Sequence, residues 1–312
     1  MAYKIDIIVP CFNEEEIIKK TNTSLLTLLE DLINKGEISN ESYICYIDDG
    51  SKDKTWNIIE ELTKENKNIK GIKLANNTGH QNAILSGLQN SKADANISID
   101  ADLQDDITVI PEMIKQFKNG SDVVYGVRNN RKKDSFFKKY TAQAFYKLIK
   151  LMGVNIVYNH ADFRLLSKVV INSLSEYKEV NLFLRGIIPL IGYKSTNVYY
   201  ERLERTAGVS KYGFFKMLAF AWDGITSFSI TPLRIITNLG FLIFFASVIV
   251  SFWVLFIRFF TTSAVPGWAS TALPIYFIGG VQILSIGIVG EYVGKIYLEA
   301  KKRPRYIIEK TI

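Results

Sequence analysis

Two cysteines, Cys11 and Cys45, are all that 312 residues contain. Both sit in or beside apolar, strand-like runs, which favours buried free thiols in a reducing compartment over a disulfide framework. Neither G-x-G-x-x-G nor G-x-x-x-x-G-K-[ST] occurs, so the dinucleotide-binding and P-loop motifs are missing. The opening "MAYKIDIIVP" lacks the basic start, long apolar core and cleavage site of a signal peptide. There is no internal repeat, no low-complexity tract and no nucleic-acid motif.

Charge is nearly missing from residues 233–298. Two stretches there have the roughly 20 apolar residues a bilayer-spanning helix needs. They are "IITNLGFLIFFASVIVSFWVLFIRFF" (235–260) and "TALPIYFIGGVQILSIGIVG" (271–290). The link between them carries no Lys or Arg, whereas Lys211, Lys216 and Arg234 precede the pair and Lys295, Lys301, Lys302, Arg303 and Arg305 follow it. The positive-inside rule then puts both termini in the cytoplasm. The net charge of +7 is better matched to anionic lipid near the spans than to nucleic acid. Gly290 and Gly294, four apart, fit either close helix packing or a helix end. Two further stretches, 136–153 and 214–230, mix aromatic, aliphatic and basic residues as interfacial helices do, or as ordinary core-facing helices do.

What is present before residue 210 is alternation. Strand-like runs at 3–9, 43–48, 69–75, 95–100 and 121–127 are separated by helical stretches at 13–36, 52–66, 79–90 and 107–120. That order predicts an α/β fold, a mostly parallel sheet with helices on both faces.

The run "ISIDADLQDD" (97–106) ends a strand in four aspartates. Asp105 and Asp106 suit the first turn of the following helix. Asp100 and Asp102 fall at a strand's C-terminal tip, where open α/β sheets bind ligands. Two adjacent carboxylates repel unless a cation joins them, and Mg²⁺ typically takes one or two carboxylates plus substrate phosphates. Other strand ends carry polar loops. In "IVPCFNEEE", Pro10 is expected to stop the ladder, and Asn13 and Glu14 fit a base or ribose contact or a helix cap. In "IDDGSKDKT", Asp49 fits a base or ribose contact or a plain turn, with Asp48 bracing the loop. His80 reads as structural. "YGVRNNR" brings Arg128 and Arg131, whose forks suit phosphate oxygens. "ADFRLLS" sets Asp162 and Arg164 before a helix, as a local salt bridge or something more. "ERTAGVSKYG" gathers Arg205, Ser210 and Lys211 around Gly208, either to close over a diphosphate or as a basic linker.

In this order, "IVPCFNEEE", "IDDGS", "DADLQD", "YGVR", "DFRLLS" and "RTAGVSKY" resemble the membrane-bound glycosyltransferases of family 2. Within it the resemblance is to the polyprenyl-phosphate group, the bactoprenol glucosyltransferases and dolichol-phosphate mannose synthases, and it covers nearly the whole chain. It implies a GT-A catalytic domain over 1–212, an interfacial helix over 213–234, two transmembrane helices within 235–300 and a basic cytoplasmic tail over 301–312. It implies Mg²⁺ or Mn²⁺ at Asp100, Asp102 and Gln104. Around the nucleotide sugar it implies Pro10, Phe12 (where Tyr is common), Glu14, Ile47, Asp49, Asp100, Ala101, Arg128 and Arg205. Asp162 matches a catalytic carboxylate, as base or as orienter. Arg131, Ser210 and Lys211 are the expected contacts of a polyprenyl phosphate acceptor, with Arg205 shared between the two phosphates. The implied reaction is inverting transfer, with glucose from UDP-glucose ahead of N-acetylglucosamine and mannose, at a bacterial plasma membrane. A homotetramer, and a flippase and outer-face glycosyltransferase downstream, are the implied partners. A processive polysaccharide synthase would carry Q-x-x-R-W, which is missing here, and a non-catalytic scaffold would not need the acidic and basic motifs together.

Overall fold

Strand β1 (Ile5–Cys11) shows how the sheet is covered. Its sequence IDIIVPC is buried at every position, the pattern of a parallel strand with helices on both faces. The computed structural model describes residues 2–128, 160–179, 183–201, 231–260 and 268–312. In chain order they form β1, α1 (Ile18–Asn34), β2 (Ile44–Asp48), α2 (Thr55–Glu65), β3 (Ile69–Leu74), α3 (His80–Asn90), β4 (Ala95–Ser98), a 3₁₀ turn (Ile107–Val109) and α4 (Ile110–Lys118). Then come β5 (Val123–Arg128), β6 (His160–Ser167), α5 (Lys168–Ser175), α6 (Leu184–Ile191), β7 (Ser195–Tyr200), α7 (Thr231–Phe260), α8 (Trp268–Lys301) and β8 (Ile308–Thr311).

The strands form one sheet in the order β7-β5-β6-β4-β1-β2-β3-β8. Strands β4, β1, β2 and β3 are parallel, as are β5 and β7. Strand β6 runs against β4 and β5, and β8 against β3. The alternation of side chains along β1 and β2 divides the core. Ile5, Ile7 and Val9, with Ile44 and Tyr46, meet Leu25 and Leu29 of α1, Ile59 of α2 and Met113 of α4. On the other face α3 lies so close that a Cβ at Gly87 would stand 2.4 Å from Ile8 Cγ2 and 3.1 Å from Ile47 Cδ1.

Three expectations change. Pro10 does not end β1: its register with Ile47 and the next pair, Cys11 with Asp48, continue the β2 ladder. Only the β4 ladder has stopped by then, at Ile8 with Ser98, so the missing proline N–H interrupts nothing. Residues 301–312 are not simply a tail. They contain β8, and the unit holding β1 to β7 includes Lys302–Ile312. Tyr306 donates to Gln89 Oε1 at 2.8 Å, and Arg305 bonds the Tyr177 carbonyl. Gly290 and Gly294 do not mark a helix end: both lie inside α8, and among the described residues a Cβ at either would meet nothing within 4 Å.

The second unit holds α7 and α8. Phe241, Leu242 and Phe245 on α7 and Ile283, Leu284 and Ile286 on α8 are exposed, an apolar surface that calls for an apolar surrounding. Among the described residues one stretch, Phe277–Lys301, is long and apolar enough to cross a membrane, and Thr231–Ile243 is a shorter apolar helix. The expected interfacial helix over 136–153, and all but residues 231–234 of the one over 213–234, lie outside the described residues.

Candidate active site

The crevice follows from strand order. Chain direction carries β1 to β2 to β3 on one side, and β4 returns to the other side of β1. The reversal leaves a gap beyond the strands' C-terminal ends, where such sheets bind ligands. After Ile99 N bonds Ile8 O at 3.1 Å, the two strands part.

Two loops line the β1–β2 side. Asn13 adopts a left-handed φ of 53°. Its N–H donates to Ser51 Oγ (3.0 Å), and its side-chain oxygen accepts from Lys52 N (2.9 Å). Glu14 N donates to Thr55 Oγ1 at 2.9 Å, so the "FNEEE" and "DDGSKDKT" loops are laced together. Phe12 is 36% exposed. Asp48 is buried and its Oδ1 accepts from Ser51 N, the expected brace. Asp49 is buried too. It accepts from Thr78 N (2.7 Å), Thr78 Oγ1 (3.0 Å) and Gly79 N (3.0 Å), so it holds the loop before α3. Gly50, at φ 67°, allows that loop to approach: a Cβ there would stand 2.6 Å from the Asn76 backbone. Pro10 and Ile47 are buried in the strands, Ile47 with its side chain against α3.

Beyond β4 the chain turns sharply, with Leu103 at a left-handed φ of 54°. Such a conformation in a non-glycine residue costs about 1–3 kcal/mol and persists only where its surroundings impose it. Thr21 of α1 donates to Ala101 O at 2.6 Å, and Asp102 Oδ1 accepts from Gln104 N at 3.1 Å. Asp106 caps the 3₁₀ turn through Thr108 N, as expected. Asp105 does something else. It is buried, and its Oδ1 accepts from Arg128 Nη2 (2.9 Å) and from the Tyr200 hydroxyl. Arg128, expected at phosphate, is therefore paired with Asp105 in this structure.

Asp162 stands across the crevice. The β4–β6 register pairs Ala95 with Ser167 and Ser98 with Arg164. Continued two residues past the ladder, that register sets Asp162 opposite Asp100. Ser98 Oγ donates to Asp162 O at 2.6 Å. Arg185 of α6 grips both carboxylate oxygens, Nε to Oδ1 at 3.2 Å and Nη2 to Oδ2 at 2.8 Å. Arg164 bonds Oδ1, and Gln81 Nε2 donates to Oδ2 at 3.3 Å. Burial alone would raise the Asp162 carboxyl, but Arg185 and Arg164 hold it well below the usual carboxylate range.

His80 bridges the two acids. Its Nε2 lies 3.3 Å from Asp100 Oδ1 and 3.5 Å from Asp162 Oδ2. Burial works against its protonation, yet the Asp100 and Asp162 carboxylates raise it to about 9. The expectation of a merely structural His80 misses this bridge, and Gln81 and Arg185 were not anticipated at all. The register could have brought Asp162 to Asp100, but nothing local announces that Arg185 would join them.

Burial also pushes Asp100 up to about 6, with Asp105, Asp162 and Asp102 adding to the effect and His80 opposing it. Asp100 Oδ1 is buried, with His80 Nε2 as an ionic neighbour but no hydrogen bond of good geometry among the described residues. An all-oxygen donor set with one reluctantly ionised carboxylate fits a hard divalent ion. Among the described residues no three His, Cys, Asp or Glu side chains gather as a metal-holding group. A site completed by substrate phosphates needs no third protein carboxylate. The other expected contacts, Arg131, Arg205, Ser210 and Lys211, lie outside the described residues.

A strand-tip crevice lined with acids, on a mostly parallel sheet, is the setting in which sugar-nucleotide transferases of the GT-A-like fold work, and the chain belongs to glycosyltransferase family 2: the family model described as "Glycosyl transferase family 2" matches residues 6–174. The resemblance stated from the motifs therefore holds, and the protein is a glycosyltransferase. An uncharacterized glycosyltransferase, YkoT of Bacillus subtilis (strain 168), is 49% identical over 98% of this chain and 91% of its own length. The SfII prophage-derived bactoprenol glucosyl transferase of Shigella flexneri is 39% identical over 99% and 98%. Among solved structures, glucosyl-3-phosphoglycerate synthase of Mycobacterium tuberculosis, in complex with Mn²⁺, UDP and glucosyl-3-phosphoglycerate, is similar with a TM-score of 0.44 at 15% identity, over 72% of this chain and 78% of that one.

Proposed function

We propose that this glycosyltransferase moves glucose from UDP-glucose to a polyprenyl phosphate at the cytoplasmic face of a bacterial membrane, with inversion at the anomeric carbon. The observation that carries the reading is the likeness to a bactoprenol glucosyl transferase across 99% of this chain, apolar C-terminal region included. The Asp100–Asp162 crevice supplies the chemistry.

Asp100, Asp102 and Gln104 would hold Mg²⁺ or Mn²⁺. The ion, when bound, would neutralise the donor diphosphate as charge builds on the leaving UDP. Loops of β1 and β2, through Phe12 and Glu14, would seat the nucleoside, and Arg205 would meet its phosphates. An acceptor phosphate oxygen attacks the anomeric carbon, that C–O bond forms, the bond to UDP breaks, and UDP departs with the electron pair. A phosphate monoester, with a second pKa near 6, is largely ionised at neutral pH and needs positioning more than deprotonation. Asp162, held ionised by two guanidiniums, is a weak base and suits positioning. Arg131, Ser210 and Lys211 are the further acceptor contacts in this reading.

In the same reading α7 and α8 cross the bilayer twice, the enzyme assembles as a homotetramer, and a flippase and an outer-face transferase consume the product. The test incubates membranes carrying the protein with undecaprenyl phosphate and a panel of labelled UDP- and GDP-sugars, followed by lipid extraction. Label from UDP-glucose in the lipid phase is expected. Label only from UDP-N-acetylglucosamine or GDP-mannose would change the sugar, and none from any donor would sink the reading.

A further inference from the structure

Thr21 is a β-branched residue inside α1, with a hydroxyl at a position that is 1% exposed. A buried hydroxyl costs free energy unless it is bonded, and a helical threonine ordinarily bonds the carbonyl four residues back. Thr21 has that partner and a second one. Its Oγ1 lies 3.2 Å from Ile17 O and 2.6 Å from Ala101 O. A hydroxyl has one proton to donate, and the shorter contact has the length of a good O–H···O bond. Ile17 O already accepts the helix bond from Thr21 N at 3.0 Å, so α1 does not need the hydroxyl. What the hydroxyl holds is a loop 80 residues away in the chain.

Ala101 stands between Asp100 and Asp102, and the loop they share is held at its two ends and its middle. Ile99 N bonds Ile8 O where β4 leaves the sheet. At the far end the buried Asp105 is paired with Arg128. Thr21 meets the middle. Leu103, between Thr21's contact and Asp105, sits at a left-handed φ of 54°, a conformation that lasts only where its surroundings impose it. The bond from Gln104 N to Asp102 Oδ1 shapes the turn from within, whereas the bond from Thr21 sets it against a neighbouring element. That element reaches the other wall of the site. Ile17 N and Ile18 N both donate to Glu14 O, so α1 starts directly from the "FNEEE" loop, with Thr21 about one turn further in.

We propose that Thr21 is the positioning residue of the metal-binding loop. Through Ala101 O its hydroxyl fixes the setting of Asp100 and Asp102 and ties it to the helix that begins at the nucleoside loop. This rests on the glycosyl-transfer reading, in which those carboxylates hold Mg²⁺ or Mn²⁺, and deepens it by naming what holds the ligands in place. Mg²⁺ demands near-ideal octahedral geometry, and removing an outer support of a ligand typically weakens metal binding about 10- to 100-fold.

The test uses the full-length protein in detergent with Thr21→Val, Thr21→Ala and Thr21→Ser. Mn²⁺ is the probe, titrated in the presence of UDP and followed by the electron paramagnetic resonance of the free ion. Melting temperature and the Kd for UDP without metal are read alongside. The Mn²⁺ Kd should rise about 10- to 100-fold in Thr21→Val and Thr21→Ala and return towards the wild-type value in Thr21→Ser, which keeps the hydroxyl. The metal-free UDP Kd should stay unchanged, and turnover lost at limiting Mn²⁺ should recover as Mn²⁺ is raised. A threonine that only packs α1 would lower the melting temperature and leave the Mn²⁺ Kd in place, and that result overturns the proposal. So does a Thr21→Ser as weak in Mn²⁺ as Thr21→Val. Thr21→Ala adds no bulk beside Ala101 O and decides if Thr21→Val fails to fold. A wild type that binds Mn²⁺ but transfers no sugar defeats the functional reading while the titration still decides Thr21; a wild type that binds no Mn²⁺ overturns both.

Discussion

Asp102 is the residue on which the proposed chemistry depends most. Its conversion to Asn keeps the size and the acceptor for Gln104 N but removes an anionic ligand from a hard-ion site. Transfer should fall roughly 100-fold or more, since metal stabilisation of leaving-group charge amounts to several kcal/mol. EDTA should reproduce the loss, and near-normal turnover in either case would refute the metal role. Asp100 makes a prediction in pH. Its carboxyl is raised to about 6, so between the ordinary value near 4 and 6 the folded protein binds more protons than the unfolded chain at this residue. Its contribution to stability therefore falls as pH rises through that window. Excess Mg²⁺ should restore more melting temperature at pH 7.5 than at pH 5, and Asp100→Asn should remove the difference; an equal gain at both pH values speaks against it. The place of Asp100 and Asp102 just past the end of β4 and the cap at Asp106 were legible in the sequence because strand ends and caps are local. Asp105, Arg128, His80 and Arg185 were not, because each takes its meaning from a partner at least 20 residues away.

At the level of elements, β1 to β5 could be read from apolar runs punctuated by Gly and polar loops, to within a few residues at each end. Strands β6, β7 and β8 could not. The β6 sequence HADFRLLS carries Arg164 at a fully buried position, and a buried arginine breaks the apolar pattern by which strands are found. Strand β7, STNVYY, is exposed at three of its six positions, and β8 is four residues long. Helix α3 deserves a direct test because it brings His80 and Gln81 to the crevice. Gly87→Ala would drive a Cβ to 2.4 Å from Ile8 and should cost about 1–3 kcal/mol, the usual range for overpacking a core. Chemical denaturation of the two proteins checks this, and an unchanged midpoint would show that α3 is free to shift.

The molecule as a whole joins a sheet-based catalytic unit to two long helices with apolar surfaces. The proposed topology puts both ends inside and residues 261–270 outside, from the charge asymmetry of the flanks. A cysteine placed at 261–270 in a Cys-free version should react with an impermeant maleimide on intact cells, and one at Lys302 should not. The reverse pattern refutes the arrangement. The mostly parallel sheet was legible because strand–helix alternation is a property of long windows. The return of the chain through β8 was not, since four residues decide it. The central claim is direct displacement of UDP by a lipid phosphate, without a sugar ever bonded to the enzyme. Its most direct test is the anomeric configuration of the glucosyl lipid made from α-linked UDP-glucose, read by NMR. A β-linked phosphate is the predicted product; an α-linked product, or a glucosyl group trapped on Asp162, would contradict it.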